Sequence, residues 1–195
     1  MPKLSIALSS QVVDPAEMFS RVAPLIIDIG FGSGETTVAL AEHHPEANIL
    51  GIETHENGLA MLAHELDQRS IANVRLVCGD AFDVIGAMIP KQSAHIIQLV
   101  CPDPWPKHNQ SHRRLVNGPF AAMLAERLIV GGELRLATDW EPYAEQMARV
   151  IDAEPLLENA YVRFAPPHTQ RPVTNYERKG VAAGRTMRDL LAVRR

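Results

Sequence analysis

The chain has 195 residues, of which 46% are apolar, and its formal net charge is −4. This length and composition are typical of one globular domain with a single buried core. No apolar run reaches the ~18 residues of a membrane helix, and the first residues lack the pattern of a signal peptide. Because the two cysteines, Cys78 and Cys101, fall at predicted strand ends, we expect reduced core thiols in a cytoplasmic protein.

Charge is distributed unevenly along the chain. Residues 1–106 carry 5 Lys and Arg against 13 Asp and Glu, a net charge of −8, whereas residues 107–195 carry 14 against 10, a net charge of +4. The acidic total argues at first against a nucleic-acid partner. The basic second half permits a surface for a polyanion but does not require one.

Short apolar runs alternate with helical patterns along the chain. The first 24 residues are expected to form a short leader, and residues 25–195 a single domain. Strands are predicted at Leu25–Ile29, Ile49–Ile52, Val74–Val77, Ile96–Val100 and Leu134–Ala137, and helices at Glu35–Glu42, 56–69, 81–89, 115–128 and 141–152. Gly131-Gly132 is expected to end the 115–128 helix, and segments near 160–165 and 186–193 are candidates for final antiparallel strands.

Apolar strands that alternate with helices predict an α/β fold with a mostly parallel sheet covered by helices on both faces. In such sheets a ligand binds beyond the carboxyl ends of the strands, where the strand order reverses. The residues singled out below follow these strand ends. We therefore expect one binding site along this edge of the sheet.

A glycine-rich loop with Gly30, Gly32 and Gly34 joins the first strand to the first helix. The dinucleotide-binding pattern needs Gly or Ala at position 35, where this chain has Glu35, and a glutamate there would repel a pyrophosphate at the helix N-terminus. The spacing after Asp28 instead suits a cofactor with an amino group and no phosphate. S-adenosylmethionine is such a cofactor, and Asp28 could face its ammonium group.

Two further acids follow the next two strands. Glu53 ends the second strand, 19 residues after Gly34, where a carboxylate can accept hydrogen bonds from both ribose hydroxyls; the alternative is a solvated loop acid. Asp80 ends the third strand and could accept from the adenine amino group. Asp80 is also a candidate N-cap of the next helix, and the two roles can coexist.

A proline-rich loop, Cys101-Pro102-Asp103-Pro104-Trp105-Pro106-Lys107, follows the fourth strand. Its three prolines fix three φ angles, and the residue before each proline is expected to be extended. Such a loop would hold Asp103, Trp105 and Lys107 rigidly, as a preorganised site requires. The alternative is an exit turn with a solvated aspartate.

Five motifs resemble tRNA (guanine-N7)-methyltransferases, in register over about residues 25–190. They are Asp28–Glu35, Gly51–His55, Pro102–Trp105, Ala137–Trp140 and Thr174–Glu177. The Pro-Asp-Pro-Trp and Thr-x-aromatic-Glu motifs are specific, whereas a glycine loop alone is not. The resemblance implies a Rossmann-like class I fold with a seven-stranded sheet. It also implies methyl transfer from S-adenosylmethionine to N7 of a tRNA guanosine in the variable loop.

The resemblance also implies roles for individual residues. Cofactor contacts would fall on Asp28, Glu53, Asp80 and Asp103, and substrate contacts on Lys107, Asp139, Thr174, Asn175, Tyr176 and Glu177. Asp103 is the candidate catalytic residue. It would position the reactants and stabilise positive charge rather than act as a base, because guanine N7 already carries a lone pair. Lys107, Arg113 and Arg114 could hold phosphates.

Other interpretations of these residues stay open. Asp139 could cap a helix, Arg113 and Arg114 could form a solvated helix face, and Glu177 could make a surface ion pair. His108 and His112 lack a third ligand, so no metal site is expected.

Family members usually have a denser basic stretch after the Pro-Asp-Pro-Trp motif and a longer basic leader, so RNA binding here could be weak or need a homo-oligomer or an auxiliary chain. The alternatives are a methyltransferase of another small or RNA substrate, or a subunit that binds S-adenosylmethionine or tRNA without catalysis.

Overall fold

The computed structural model describes residues 4–168 and 171–195. Eight strands form one sheet: β1 (Ser5–Ile6), β2 (Leu25–Ile29), β3 (Asn48–Glu53), β4 (Val74–Cys78), β5 (Ala94–Val100), β6 (Leu128–Thr138), β7 (Leu157–Asn159) and β8 (Arg188–Arg194). No helix in the described ranges has the length and apolar character to cross a membrane.

Helices connect most of these strands. They are α1 (Pro15–Phe19), α2 (Glu35–His43), α3 (Glu56–Gln68), α4 (Ala81–Met88), α5 (Gly118–Arg127), α6 (Glu141–Ala153) and α7 (Asn175–Ala182), with a 3-10 helix at His108–Arg113. The sheet order is β1-β4-β3-β2-β5-β6-β8-β7, and β8 runs in the direction opposite to the other seven strands. The order reverses between β2 and β5, which is where a doubly wound sheet opens a crevice for a ligand.

Helices cover both faces of the sheet, as the strand and helix pattern predicts. On one face, Ile27, Leu99 and Leu136 pack in a core cluster with side chains of α4, α5 and α6 such as Phe120 and Tyr143. On the other face, a second cluster joins the sheet to α2 and α3, with Ile26, Ile49, Leu40 and Leu62 among its members. Strands buried on both faces explain why β2 and β3 are continuous apolar runs.

The predicted fold class is confirmed, with one more strand than expected. Ser5 and Ile6 in the leader pair in parallel with Leu76 and Val77 at the edge of β4. The leader also supplies α1, which is capped by Asp14 and carries the buried Phe19 into the main core.

Several local predictions were wrong. Gly131 and Gly132 lie inside β6, at a point where the pairing of β5 with β6 shifts register. An added side chain at Gly132 would meet the carbonyl oxygens of Ile129 and His95 at 2.9 and 3.1 Å, so this position requires glycine. The helix expected from residue 115 begins at Gly118, since the Asn117 side chain caps it.

Two predictions near the chain's exposed segments also failed. Residues 160–165 are not a strand; only Ala165 bridges to Asp189. Cys78 is exposed rather than in the core, and both cysteines are unbridged. The antiparallel strand expected near 186–193 is β8.

Candidate active site at the carboxyl ends of the strands

The Asp28 carboxylate is buried at the end of β2, next to the switch point. Its Oδ2 accepts hydrogen bonds from the hydroxyls of Thr36 and Thr37 at 2.8 and 2.7 Å, and Oδ1 accepts from Gln98 Nε2 at 3.3 Å. Burial raises the pKa of Asp28, while the three hydrogen bonds act in the opposite direction. Asp28 therefore joins β2, α2 and β5, and its oxygens are already engaged within the protein.

The glycine loop is tied to the end of β3 through Glu53. Gly30, Gly32 and Gly34 all have positive φ, between 57° and 90°, so other residues would be strained there. Glu53 is only 7% exposed. Its Oε2 accepts from Gly32 N–H at 2.9 Å, and Oε1 accepts from the Thr54 and His55 amides at 2.7 and 3.1 Å. Oε2 retains acceptor capacity toward the crevice.

Asp80 caps α4, as one of its two predicted roles requires. Its Oδ1 accepts from the Phe82 amide at 2.8 Å, and the residue is exposed. The cap uses one oxygen, so Oδ2 is available to a ligand at the end of β4. Capping and ligand binding are thus geometrically compatible.

The Pro-Asp-Pro-Trp loop is strained at two positions. Cys101 and Trp105 have φ of 52° and 41°, in the left-handed region, although each precedes a proline and was expected to be extended. Such residues cost on the order of 1–3 kcal/mol each and persist only where surrounding contacts fix them. Between them, Asp103 is exposed. Burial raises the pKa of the Cys101 thiol to about 12, so this thiol stays protonated at neutral pH.

The two adjacent arginines after this loop have different positions. Arg114 is 7% exposed, and its Nε donates to the Pro104 carbonyl at 2.8 Å while Nη1 donates to Gln146 at 2.8 Å. Two donors of Arg114 thus hold the loop from inside, and this position disfavours the predicted phosphate contact. Arg113 is exposed and stacks on Trp105, with Cζ 3.8 Å from the ring centre. Lys107 is exposed as well.

The Thr174–Glu177 motif begins α7, a helix that is absent from the predicted elements. The Thr174 hydroxyl accepts from the Glu177 amide at 3.2 Å, the bond of a capping box, and this signal was present in the sequence. The Asn175 amide donates to Glu35 Oε2 at 2.9 Å. Tyr176 is 61% exposed, and its ring lies over Gly32. Glu35, at the start of α2, thus fastens α7 over the glycine loop.

Glu177 is largely buried, whereas the two interpretations of this residue, a substrate contact and a surface ion pair, both place it at the surface. It pairs with Arg171 at 2.5 Å, and Arg171 also pairs with Asp189 at 3.1 Å. The three side chains are 12%, 5% and 8% exposed, respectively. Glu177 therefore anchors α7 to β8 through Arg171.

Asp139 follows β6 and lies against α7. Its Oδ2 accepts from Arg185 Nε at 2.8 Å, and an added side chain at Gly180 would meet the same oxygen at 2.1 Å. The alternative that Asp139 caps α6 was wrong, since α6 has no side-chain cap. Tyr143 in α6 is a packing residue, because it is fully buried and its hydroxyl accepts from the Val116 amide.

Across residues 4–168 and 171–195, no group of three or more His, Cys, Asp or Glu side chains is placed to hold a metal ion. His108 and His112 lie on the exposed face of the 3-10 helix. The cleft over the glycine loop is lined by Gly30, Gly32, Cys101, Thr174 and Tyr176, among others. Glu53 ends β3, and Asp80 and Asp103 follow the ends of β4 and β5.

Comparison with known proteins agrees with this arrangement. A family profile described as "Putative methyltransferase" matches residues 22–190. A tRNA (guanine-N(7)-)-methyltransferase of Nitrosospira multiformis is 39% identical over 191 residues, which are 98% of this chain and 83% of that protein. A protein of the same name from Bordetella parapertussis is 43% identical over 98% of this chain and 75% of its own length. The chain belongs to the tRNA (guanine-N7)-methyltransferase family.

The crystal structure of the 16S rRNA methyltransferase KamB shares the fold of this family member. The two superpose with a TM-score of 0.68 over 95% of each chain, at 13% sequence identity. At that identity the likeness concerns the fold alone.

Sequence patterns alone did not identify two residues that build this methyltransferase site. Arg171 is an isolated arginine in a proline-rich segment and gives no local signal of its two buried partners. Gly58 lies in α3, and an added side chain there would be 2.4 Å from the Gly32 carbonyl oxygen. The sequence does contain a signal for Gly58. A glycine in the first turn of a helix weakens that helix, so its presence indicates that a side chain is not tolerated there.

We expect Gly58→Ala to lower the affinity for S-adenosylmethionine by about tenfold or more, because the new methyl group displaces the glycine loop from Glu53 (tenfold corresponds to about 1.4 kcal/mol). Calorimetric titration of the cofactor measures this. Gly118→Ala is the matched control, since nothing lies within 4 Å of its added side chain. Equal affinities of the two variants would contradict the close contact.

We expect Arg114→Met to lower the free energy of unfolding by about 2–3 kcal/mol, because the Pro104 carbonyl loses its buried charged donor. Arg113→Met removes only an exposed stacking contact, worth about 0.5–1 kcal/mol. Urea unfolding followed by circular dichroism compares the two. A larger loss in the Arg113 variant would show that the two roles are reversed.

Proposed function

We propose that this protein transfers the methyl group of S-adenosylmethionine to N7 of a guanosine in tRNA, in the cytoplasm, with the variable-loop guanosine as target. The observation that carries the proposal is the placement of Asp103. It stands on a fixed loop after β5, directly across the switch point from the glycine loop after β2. Membership of the tRNA (guanine-N7)-methyltransferase family supports the reaction.

The acids of the crevice fit this cofactor. Glu53 Oε2 would accept from the ribose hydroxyls, and Asp80 Oδ2 from the adenine amino group. Asp28 would act indirectly, by holding α2 and β5 so that the glycine loop keeps its shape, since its own oxygens are occupied. The cleft over the glycine loop is narrow, about 30 Å³, because Tyr176 covers Gly32. We therefore expect the Tyr176 ring to turn aside on binding.

When bound, S-adenosylmethionine supplies a methyl group on a positively charged sulfonium. This group would pass to guanine N7, which offers an in-plane lone pair for the new C–N bond, and the C–S bonding pair would remain on sulfur. No residue needs to remove a proton. The protein has to align the two reactants in line at near-attack distance. As positive charge appears on the purine, the fixed Asp103 carboxylate complements it.

The tRNA would be held by exposed cations around this crevice. Lys107 and Arg113 flank the Pro-Asp-Pro-Trp loop, and Lys179 projects from α7. Asn175 and Tyr176 are the members of the Thr174–Glu177 motif that are exposed enough to touch the substrate directly. We propose that a second copy or an auxiliary chain adds cations to this small set.

The direct test is to incubate the protein with S-adenosylmethionine and tRNA that lacks 7-methylguanosine. We expect 7-methylguanosine to appear in the tRNA, mapped by cleavage at the modified base. Asp103→Asn keeps the shape but removes the charge, so turnover should fall by about 100-fold, while cofactor affinity changes far less. A near-normal rate in this variant would remove Asp103 from the mechanism, and failure of the wild-type protein to methylate any tRNA would refute the proposal.

We expect Lys107→Ala to weaken tRNA binding and to lower the slope of log affinity against log salt by about 1, because one phosphate contact is lost. Filter binding at several salt concentrations measures both quantities. Arg149→Ala is the control, since Arg149 is an exposed arginine in the third turn of α6, away from the strand ends. An unchanged slope in the Lys107 variant would show that this lysine does not contact phosphate.

A further inference from the structure

A second pocket lies on the sheet face opposite to α4, α5 and α6, above β5, β6 and β8. Its volume is about 260 Å³, which is enough for a small ring system. Val100, Ala137 and Leu191 contribute to its apolar floor, and Tyr161 and Pro167 stand at its wall. Among the residues that line it, only Val100 also borders the cleft over the glycine loop. The pocket is therefore a neighbour of the proposed cofactor site and separate from it.

Two polar side chains of this pocket have buried nitrogens without a partner in the part of the chain that the structure describes. Arg135 uses Nε and Nη2 on Glu133, at 2.7 and 2.6 Å, and leaves Nη1 buried without an acceptor. His168 Nδ1 is buried in the same way. Unsatisfied buried polar atoms are rare and costly in native proteins, so such atoms at a pocket call for a ligand as their partner.

The protonation state of His168 decides what its nitrogen can do. Burial and the charges of Arg135 and Arg171 lower the pKa of His168, while the acids Glu133 and Asp189 act against them. A neutral imidazole has one donor nitrogen and one acceptor nitrogen. Arg135 Nη1 can only donate. The pair can therefore satisfy a ligand edge that offers one acceptor and one donor.

The ionic groups around the pocket argue against a charged ligand. Arg171 is fully engaged with Asp189 and Glu177, and Arg135 is paired with Glu133. The charges of both arginines are thus already matched by carboxylates, of which Asp189 lines the pocket, so an anionic ligand would find no uncompensated cation there. A cation would meet the unpaired N–H groups of Arg135. Only an uncharged ligand avoids both costs.

We propose that this pocket binds a small, flat, uncharged molecule. Its apolar ring system lies on the floor of Val100, Ala137 and Leu191. Its amide-like edge accepts a hydrogen bond from Arg135 Nη1 and donates one to His168 Nδ1. Because Arg171 lines the pocket and anchors α7 through Glu177, a bound molecule would also support the helix that covers the glycine loop.

Naphthalene-2-carboxamide is a suitable probe, since it combines a flat apolar body with one acceptor and one donor group. Calorimetric titration into the full chain should show one site. Naphthalene-2-carboxylate has the same shape with a negative charge, and 2-methylnaphthalene lacks the polar edge, so both should bind at least tenfold more weakly. Tighter binding of the carboxylate would overturn the assignment, as would the absence of any binding of the carboxamide.

Variants locate the probe. Arg135→Met should weaken carboxamide binding by about tenfold or more, and Arg149→Met, at an exposed position of α6, should leave it unchanged. Ala165→Phe fills the pocket and should abolish binding of all three molecules. This variant still tests the location of the probe if thermal unfolding shows that the Arg135 variant does not fold. Unchanged binding in a folded Arg135 variant or in Ala165→Phe would place the probe elsewhere and refute the proposal. None of these readouts depends on methyl transfer.

Discussion

The site depends on one buried carboxylate at the switch point of the sheet. Asp28 accepts hydrogen bonds from α2 through Thr36 and Thr37 and from β5 through Gln98, so it fixes the glycine loop relative to the strand that leads to Asp103. A carboxylate this deeply buried is costly unless its oxygens are satisfied. Three donors meet that condition here. The spacing of the glycine loop and the end of β5 is therefore set by an internal hydrogen-bond network and not by the ligand, which is the preorganisation that a positioning enzyme needs.

The strained loop after β5 follows from the same requirement. Cys101 and Trp105 have left-handed backbone angles, and the loop is held by the Arg114 contact with the Pro104 carbonyl. A relaxed, extended exit from β5 would carry Asp103 along a different path. Strain at a functional loop persists when buried contacts over-determine it, and Arg114 is such a contact. A phosphate-binding role for Arg114 would remove the contact that places Asp103.

Much of this architecture follows from local sequence. The exceptions share one cause, because each depends on contacts between segments that are far apart in the chain. Strand β2 and the Asp80 cap are predictable, because apolar continuity and capping act over a few residues. The two glycines in β6 were assigned to a helix end, since their need for glycine comes from the carbonyl groups of other segments. Arg113 and Arg114 are identical in type and adjacent, and only tertiary packing exposes one and buries the other. The ion pairs of Arg171 join segments that sequence periodicity cannot bring together.

These ion pairs also change the meaning of the basic second half of the chain. Its excess of cations suggested a surface for RNA, yet Arg171, Arg178 and Arg185 are bound to Glu177, Glu35 and Asp139, and Arg114 is buried. Within the described residues, no acid pairs with Lys107, Arg113 or Lys179, so these three remain for phosphate contacts. Because affinity for RNA rises with the number of phosphates neutralised, so small a set predicts modest, weakly salt-dependent binding. The cations of this half mainly fasten α7 and the proline-rich loop around the crevice, and they thereby serve the positioning of the base more than the capture of the RNA.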